Sequence, residues 1–263
     1  MPDAPSLLNL FSPKNIVVFM LIFTRMSGLF ATAPFFSTFQ MPEQVKIWFC
    51  ALISFILYPI LSAKAQFIMP HSMPEFAILI AIEFCIGFAI GFLANLLFAG
   101  VSMVGELISI QMGLSMANVL DPVSGESSTV MSSLYTYLVT LVFLGLGAYE
   151  YLFAAVYKSF FVMPTGFEGL FNAGVIEGTM KLAGHMFQIA FGLAMPIFSV
   201  LLVCDILLGM MSKVMPQMNI FMVSLPFKVF LGLVLILLFL KGSVSYLTDV
   251  IAQYLQAILG LFT

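Results

Sequence analysis

The sequence predicts an all-α membrane protein. Of its 263 residues, 62% are hydrophobic and 8% are charged, whereas a soluble domain carries about 25% charged residues. Too little polar side-chain surface is available to coat a soluble globule of this size, and several apolar stretches approach the roughly 20 residues that a membrane-spanning helix needs. These stretches lie near residues 16–36, 45–61, 76–104, 130–148, 182–211, 219–240 and 244–262.

Composition also excludes several functional classes. The net charge is −3 and the basic residues are scattered, so no nucleic-acid-binding surface is predicted. The three cysteines, Cys50, Cys85 and Cys204, lie far apart in apolar runs and are predicted to be reduced, buried thiols. His71 and His185 are isolated. No phosphate-binding, dinucleotide, metal or catalytic motif occurs, and we therefore expect no cofactor, no metal site and no enzymatic activity.

The first apolar stretch contains Arg25, the one arginine of the chain. A charged residue inside a membrane span needs a partner, and the candidates are Glu83, Glu106 and Asp205. A buried ion pair that sets the register of packed helices is favoured over a role in transport. Asp205 itself, within the stretch 182–211, is likewise favoured as a buried polar lock over an ion-binding site.

The third stretch is too long for a simple span. A helix from Glu75 to Val104 would measure about 45 Å at 1.5 Å per residue, beyond a hydrocarbon core of about 30 Å. One stripe of this helix carries small and polar residues at every fourth position, with a GxxxG pair that allows close helix approach. The stripe is interpreted either as packing within the chain or as a docking face for another subunit. Its members are Glu83, Gly87, Gly91 and Asn95.

The segment "GELISIQMGLSMANVLDP", residues 105–122, departs from the helical pattern. From Ile108 to Met116 apolar residues occupy every even position, which is the period of an extended strand. Extended backbone at membrane depth must be buried in protein or line a wet cavity. The segment is therefore predicted to be a non-helical loop inserted into a conduit. The alternative is a loop outside the membrane that re-enters at "DPVSGESS".

The C-terminal part predicts a helical hairpin around "MPQMN", residues 215–219, with helices interrupted at Pro196 and Pro226. The final stretch, 244–262, has an apolar face and a polar face without basic residues. An interfacial helix usually carries lysine or arginine on its polar face, so this amphipathic helix is predicted to pack on protein.

Three motifs resemble the FliR family of bacterial flagellar type III export proteins, and the resemblance extends over nearly the whole chain. The first motif is Arg25, "TAP" at 32–34, Pro42 and "VK" at 45–46. The second, most specific motif is "GELISIQMGLSMANVLDP" at 105–122, and the third is "MPQMNIFMVSLPFKVFLG" at 215–232. The second motif resembles the flagellar branch more than the related virulence injectisomes, which are the alternative.

The resemblance implies a subunit of an export gate in the bacterial inner membrane, at the flagellar basal body. The implied partners are FliP-like, FliQ-like and FlhB-like subunits, unfolded export substrates and membrane lipid. The implied fold is a spiral hetero-oligomeric assembly of helical hairpins. In that fold residues 1–174 form a FliP-like part that includes the loop 105–122, and residues 175–263 form a FliQ-like hairpin with a C-terminal amphipathic helix.

In the family, the loop that matches 105–122 acts as a plug in the closed pore. By motif position this role falls on Glu106, Gln111, Met112, Gly113 and Asn118. Four apolar neighbours are predicted to exclude water from the constriction, as hydrophobic gates do; they are Ile110, Met112, Leu114 and Met116. The main rival function is a small secondary transporter with an ionisable residue at mid-depth, although the two halves of the chain share no matching helix breaks.

Overall fold

A computed structural model of the protein describes residues 12–34, 42–65, 67, 69–115, 129–163, 173–215, 217 and 220–261. Within these ranges every regular element is an α-helix and no strand occurs, which confirms the predicted all-α class. The helices in chain order are α1 (Pro13–Thr32), α2 (Glu43–Lys64), α3 (Met73–Met112), α4 (Val130–Gly145), α5 (Ala148–Val162), α6 (Ala173–Val214) and α7 (Ile220–Gly260).

Local sequence determines where several helices begin. The Ser12 hydroxyl accepts a hydrogen bond of 3.4 Å from the Asn15 backbone N–H and caps α1. The Thr129 hydroxyl accepts one of 3.2 Å from the Ser132 N–H and caps α4 in the same way. Gly147 precedes α5 with φ of 63°, a left-handed conformation that glycine adopts without steric penalty. This glycine therefore separates α4 from α5.

The predicted membrane spans are confirmed. Five of the described helices are long and apolar enough to cross a membrane, and the number is six if α4 and α5 together count as one span. Helix α3 has 40 residues and is thus about 60 Å long, even longer than the sequence predicts. Pro196 and Pro226 lie inside helices that continue past them, so neither proline ends its helix.

The prediction of a separate C-terminal helix over 244–262 is wrong. Helix α7 runs without a break from Ile220 to Gly260, and the amphipathic segment is its C-terminal half. Gly242 and Ser243 lie between the two apolar stretches. A single glycine in a helix interior costs only about 1 kcal/mol, which the neighbouring good helix formers offset.

The prediction of extended backbone over 108–116 is wrong for its described part. Helix α3 continues through Met112, and the chain leaves the helical path at Gly113. The alternating pattern arises because the buried face of this helix end carries a small polar residue, Ser109, beside Ile108 and Met112. Extending an existing helix adds one hydrogen bond for each residue fixed. This gain outweighs the preference for extended backbone that a short alternating pattern provides.

The helices pack into two units. The first contains Met1–Leu96, Gly147–Ala183 and Gln253–Thr263, and the second contains Leu97–Leu146 and Gly184–Ala252. In the first unit α1 and α2 pair as an antiparallel hairpin, and α1 also packs on the first half of α3. The α1 residues that face this core are fully buried, and they are Leu21, Ile22, Arg25, Met26 and Leu29.

The second unit packs the last part of α3 against α4, α6 and α7. Phe98 meets Phe143 edge-on, with 5.4 Å between the ring centroids. A side-chain carbon added at Gly105 would lie 2.4 Å from the Ser132 backbone, so small residues allow α3 and α4 to touch. The C-terminal end of α3 is thereby held inside this unit, where the most specific sequence motif begins.

Candidate functional site

Arg25 is the centre of a polar cluster in the first unit. Its Nε donates a hydrogen bond of 2.5 Å to Glu83 Oε2, and both side chains are fully buried. One terminal nitrogen donates to the Ser159 hydroxyl at 2.8 Å and the other to the Met163 carbonyl at 3.2 Å. The guanidinium carbon lies 3.8 Å from the centre of the Phe160 ring. Of the three predicted partners, Arg25 therefore pairs with Glu83, and α1, α3 and α5 meet at this pair.

The glycine stripe of α3 packs on α1 immediately beside the ion pair. A side-chain carbon at Gly87 would lie 1.8 Å from the Arg25 carbonyl oxygen, and one at Gly91 would lie 2.2 Å from the Thr32 hydroxyl. Gly28 of α1 is equally close to α3, because its added carbon would lie 2.4 Å from the Phe84 carbonyl oxygen. Helix backbones approach this closely only where side chains are absent.

The predicted stripe is divided between two environments. Glu83, Gly87 and Gly91 are buried, and the contacts that cover them come from helices of the same chain. Asn95, the last member, is exposed on the surface of α3. Any contact of this stripe with another subunit is therefore restricted to its Asn95 end.

Helix α3 ends in a Schellman motif, which two backbone hydrogen bonds define. The Gly113 N–H donates to the Ile110 carbonyl at 3.1 Å, and the Leu114 N–H donates to the Ser109 carbonyl at 3.0 Å. Gly113 has φ of 80°, the left-handed conformation that this motif requires and that glycine favours. Gly113, the second of the two glycines in this motif, is thus the residue that terminates the helix.

Two side-chain contacts fix this helix end on α7. Met112 is fully buried, and a side-chain carbon added at Gly232 would lie 2.6 to 2.7 Å from three Met112 side-chain atoms. A carbon added at Gly113 would lie 2.5 Å from a methyl group of Leu225. Leu225 and Gly232 are seven residues apart on α7 and therefore share one helix face.

A polar cluster lies beside these contacts and joins α3 to both helices of the α6–α7 hairpin. The Gln111 side-chain amide donates a hydrogen bond of 2.7 Å to Asp205 Oδ2. The other carboxylate oxygen of Asp205 forms an ion pair with Lys228. Lys228 lies between Leu225 and Gly232 on the same face of α7. Since Lys228 retains 17% and Asp205 39% of their side-chain exposure, the cluster is partly screened from solvent.

The structure brings together some of the predicted plug residues and separates others. Gln111, Met112 and Gly113 face the hairpin, whereas Glu106 and Ile110 lie on the exposed face of α3, one helical turn apart. Glu106 has no hydrogen bond or ion pair with the residues that the structure describes. Leu114 is half-buried. Met116 and Asn118 lie outside the described residues.

Sequence reasoning missed Lys228, Ser159 and Gly28. Lys228 had a usable signal, because it is the one charged residue in the apolar stretch 219–240 and an intramembrane charge needs a partner. Ser159 and Gly28 had none, because their importance arises from contacts between helices that are distant in sequence. Among the described residues, no group of three or more histidine, cysteine or acidic side chains is placed to hold a metal ion.

Comparison with known proteins identifies the family. The model of the family described as bacterial export proteins, family 1, matches residues 16–254. The chain belongs to this family. Curated relatives carry the name flagellar biosynthetic protein FliR. That of Aquifex aeolicus is 26% identical over 251 residues, which cover 95% of this chain and 94% of the relative. That of Escherichia coli is 30% identical over 210 residues, with 80% and 78% covered. That of Borreliella burgdorferi is 32% identical over 210 residues, with 78% and 75% covered.

Membership of the FliR family confirms the resemblance carried by the three motifs. It makes the protein a membrane component of the bacterial flagellar export apparatus. The matched range includes the Arg25 cluster, the end of α3 and the Asp205–Lys228 pair. The polar clusters of both units are therefore located inside the part of the chain that defines the family.

Proposed function

We propose that the protein is a subunit of the flagellar type III export gate, and that it forms and closes a protein-conducting pore with FliP-like and FliQ-like subunits. An FlhB-like subunit contacts the gate, and unfolded export substrates pass through it. The gate lies in the bacterial inner membrane at the flagellar basal body. Residues 1–174 form its FliP-like part and residues 175–263 its FliQ-like hairpin with the amphipathic C-terminal segment.

One observation carries the proposal. The second and third family motifs, which are far apart in sequence, meet where Gln111, Met112 and Gly113 contact the hairpin. A plug has to be held at its base while the segment beyond the base blocks the pore. The buried Met112 and the bonded Gln111 supply a fixed base, and the turn at Gly113 directs the chain away from the axis of α3.

The plug in this proposal is the segment that starts near this base and extends through residue 122. Apolar side chains in a narrow pore exclude water and hence ions, and a few hydrogen bonds of about 1 kcal/mol each hold such a segment without locking it. A substrate arriving at the pore can therefore displace it. Of the predicted plug residues, Gln111, Met112 and Gly113 form the base, and Leu114, Met116 and Asn118 belong to the segment beyond it. Glu106 and Ile110 precede the base on the exposed face of α3.

The surface supports assembly with other subunits. In the most apolar parts of α6 and α7, only 22% and 17% of the residues are buried within the chain. Two polar groups, Asn95 and Glu106, are exposed on the apolar helix α3. An isolated carboxylate facing lipid is costly, so a protein neighbour or a wet conduit is the favourable environment for this face.

Deletion of residues 114–122 tests the proposal. It leaves Gln111, Met112 and Gly113 in place, so the complex is expected to assemble normally while the resting membrane becomes permeable to ions. The measurement is the conductance of membranes that contain the assembled complex. The control is the same deletion in cells that lack the FliP-like partner, where no pore forms and no leak is expected. A complex of normal yield whose membrane stays as tight as that of the wild type would show that this segment is not the seal.

A further inference from the structure

We infer that a cavity at one end of the α1–α2 hairpin binds the headgroup region of an anionic phospholipid. The cavity has a volume of about 810 Å³ and lies between the first turns of α1 and the last three turns of α2. Pockets that bind small molecules typically have volumes of about 300 to 1,000 Å³. The inference concerns the first unit and does not depend on the proposed pore function.

The position of the cavity along the helices corresponds to the headgroup region of a bilayer. Helix α1 begins at Pro13 and α2 ends at Lys64, and both helices are long and apolar enough to span a membrane. Lys14 and Ala65 both line the cavity, so it lies at the same end of both spans. The ends of spanning helices lie at the interface between hydrocarbon and water, where phospholipid headgroups are found.

The charge at this end favours an anion. Lys14 is an exposed residue that lines the cavity, and no carboxylate among the described residues forms an ion pair with it. Lys14 also belongs to the first turn of α1, where the helix dipole is positive and opposes a cationic side chain. A bound phosphate group would interact favourably with both the ammonium group and the helix end.

The Tyr58 hydroxyl at the wall of the cavity adds a hydrogen-bond donor for phosphate oxygens. Tyr58 is 8% exposed and lines the cavity, and its hydroxyl makes no hydrogen bond with the described residues. This hydroxyl is not among the fully buried polar atoms without a partner, so it is accessible from the cavity and can donate to a phosphate oxygen there. The Ser62 hydroxyl also lines the cavity, but it donates to the Pro59 carbonyl at 3.4 Å and is therefore not a donor to the phosphate.

The remaining wall distinguishes a lipid from free phosphate. Val18, Phe55 and Phe67 line the cavity with apolar side chains, and Phe67 also contacts Phe160 with 5.9 Å between ring centroids. A free phosphate ion gains nothing from this surface, whereas the glycerol and first acyl carbons of a phospholipid bury apolar area against it. Basic pockets between spanning helices recognise anionic lipids by this combination of contacts.

The test measures lipid bound to the full-length protein, purified by affinity tag from the membranes of its host together with the subunits that accompany it. Native mass spectrometry is used to titrate phosphatidylglycerol against wild type, Lys14→Gln and Tyr58→Phe. The matched control is Lys213→Gln, which removes an exposed lysine at the far end of α6. Parallel titrations use phosphatidylcholine, and a competition arm adds inorganic phosphate.

We expect Lys14→Gln to weaken phosphatidylglycerol binding about fivefold, the effect of one lysine at an anionic membrane surface. Tyr58→Phe should weaken it less, Lys14→Arg should bind like wild type, and Lys213→Gln should change nothing. Equal binding by wild type, Lys14→Gln and Tyr58→Phe in complexes of equal yield would overturn the inference. So would equally tight binding of phosphatidylcholine, or displacement of the lipid by millimolar phosphate.

Discussion

Gln111 and Asp205 are 94 residues apart in the chain and are joined by a hydrogen bond of 2.7 Å from the amide nitrogen to the carboxylate. Through Asp205 the end of α3 is linked to Lys228 of α7, so one carboxylate bridges the second and third family motifs. Because an unpaired charge in an apolar environment is unfavourable, Asp205 and Lys228 depend on each other, and Gln111 adds a hydrogen bond to the shared carboxylate.

Removal of the bridging carboxylate should weaken the second unit moderately. Asp205→Ala leaves Lys228 without its counter-ion, and since Asp205 keeps 39% exposure, we expect a loss of about 1 kcal/mol. The measurement is the temperature at which half of the detergent-solubilised protein aggregates. In a double-mutant cycle, Asp205→Ala and Lys228→Ala together should lose less than the sum of the single variants. Strict additivity would show that the pair is not coupled.

The buried pair Arg25–Glu83 should be far more sensitive. Arg25→Leu leaves the Glu83 carboxylate buried without its partner, and breaking such a pair typically costs about 3 to 5 kcal/mol. We expect little of this variant to accumulate in the membrane. Replacement of both residues by apolar ones, Arg25→Met with Glu83→Leu, should restore much of the level, because a buried ion pair is often replaceable by packed hydrophobic side chains. Quantitative immunoblots of membrane fractions measure both outcomes.

Gly91→Leu should separate α1 from α3. A side-chain carbon at this position would lie 2.8 Å from the Leu29 carbonyl oxygen as well as close to Thr32, and backbone atoms cannot move aside as a flexible side chain does. We expect strongly reduced yield of the assembled complex and loss of motility. The matched control is Gly184→Leu, since nothing lies within 4 Å of a carbon added there. Normal assembly of Gly91→Leu would contradict this close packing of α1 on α3.

Gly113→Val should disturb the end of α3. A left-handed conformation costs an L-residue about 1 to 2 kcal/mol, and the new side chain would also collide with the Leu225 methyl group. Gly113→Asn should be milder, because asparagine tolerates this conformation. Combining each variant with Leu225→Ala relieves the collision but not the strain. Aggregation temperatures that stay equal to wild type for Gly113→Val would show that the turn is not required for stability.

The membrane environment and the helical class of this protein were predictable because both follow from its amino-acid composition. A chain with 62% hydrophobic and 8% charged residues has too little polar surface for a soluble globule. Helices satisfy its backbone polar groups internally, either in lipid or inside an assembly that replaces lipid. The single arginine within an apolar run required a buried partner for the same reason. The three family motifs are local in sequence, and they indicate the flagellar export apparatus by themselves.

Tertiary structure decided which partner each residue takes. Three acidic residues were equally acceptable partners for Arg25, and only the packing of α1 on α3, made possible by Gly28, Gly87 and Gly91, places Glu83 beside it. Asp205 likewise takes Lys228 and Gln111 because the end of α3 packs against the α6–α7 hairpin.

The alternating pattern from Ile108 was misleading for a related reason. A period of two appears when a helix places small polar residues such as Ser109 on its buried face, and burial is a property of the neighbours rather than of the segment itself. The glycine signal at Gly113, in contrast, is local, since its left-handed backbone conformation ends the helix whatever surrounds it. The sequence alone therefore determined the helices and the membrane, whereas the contacts between distant helices determined which residues pair and which faces are buried.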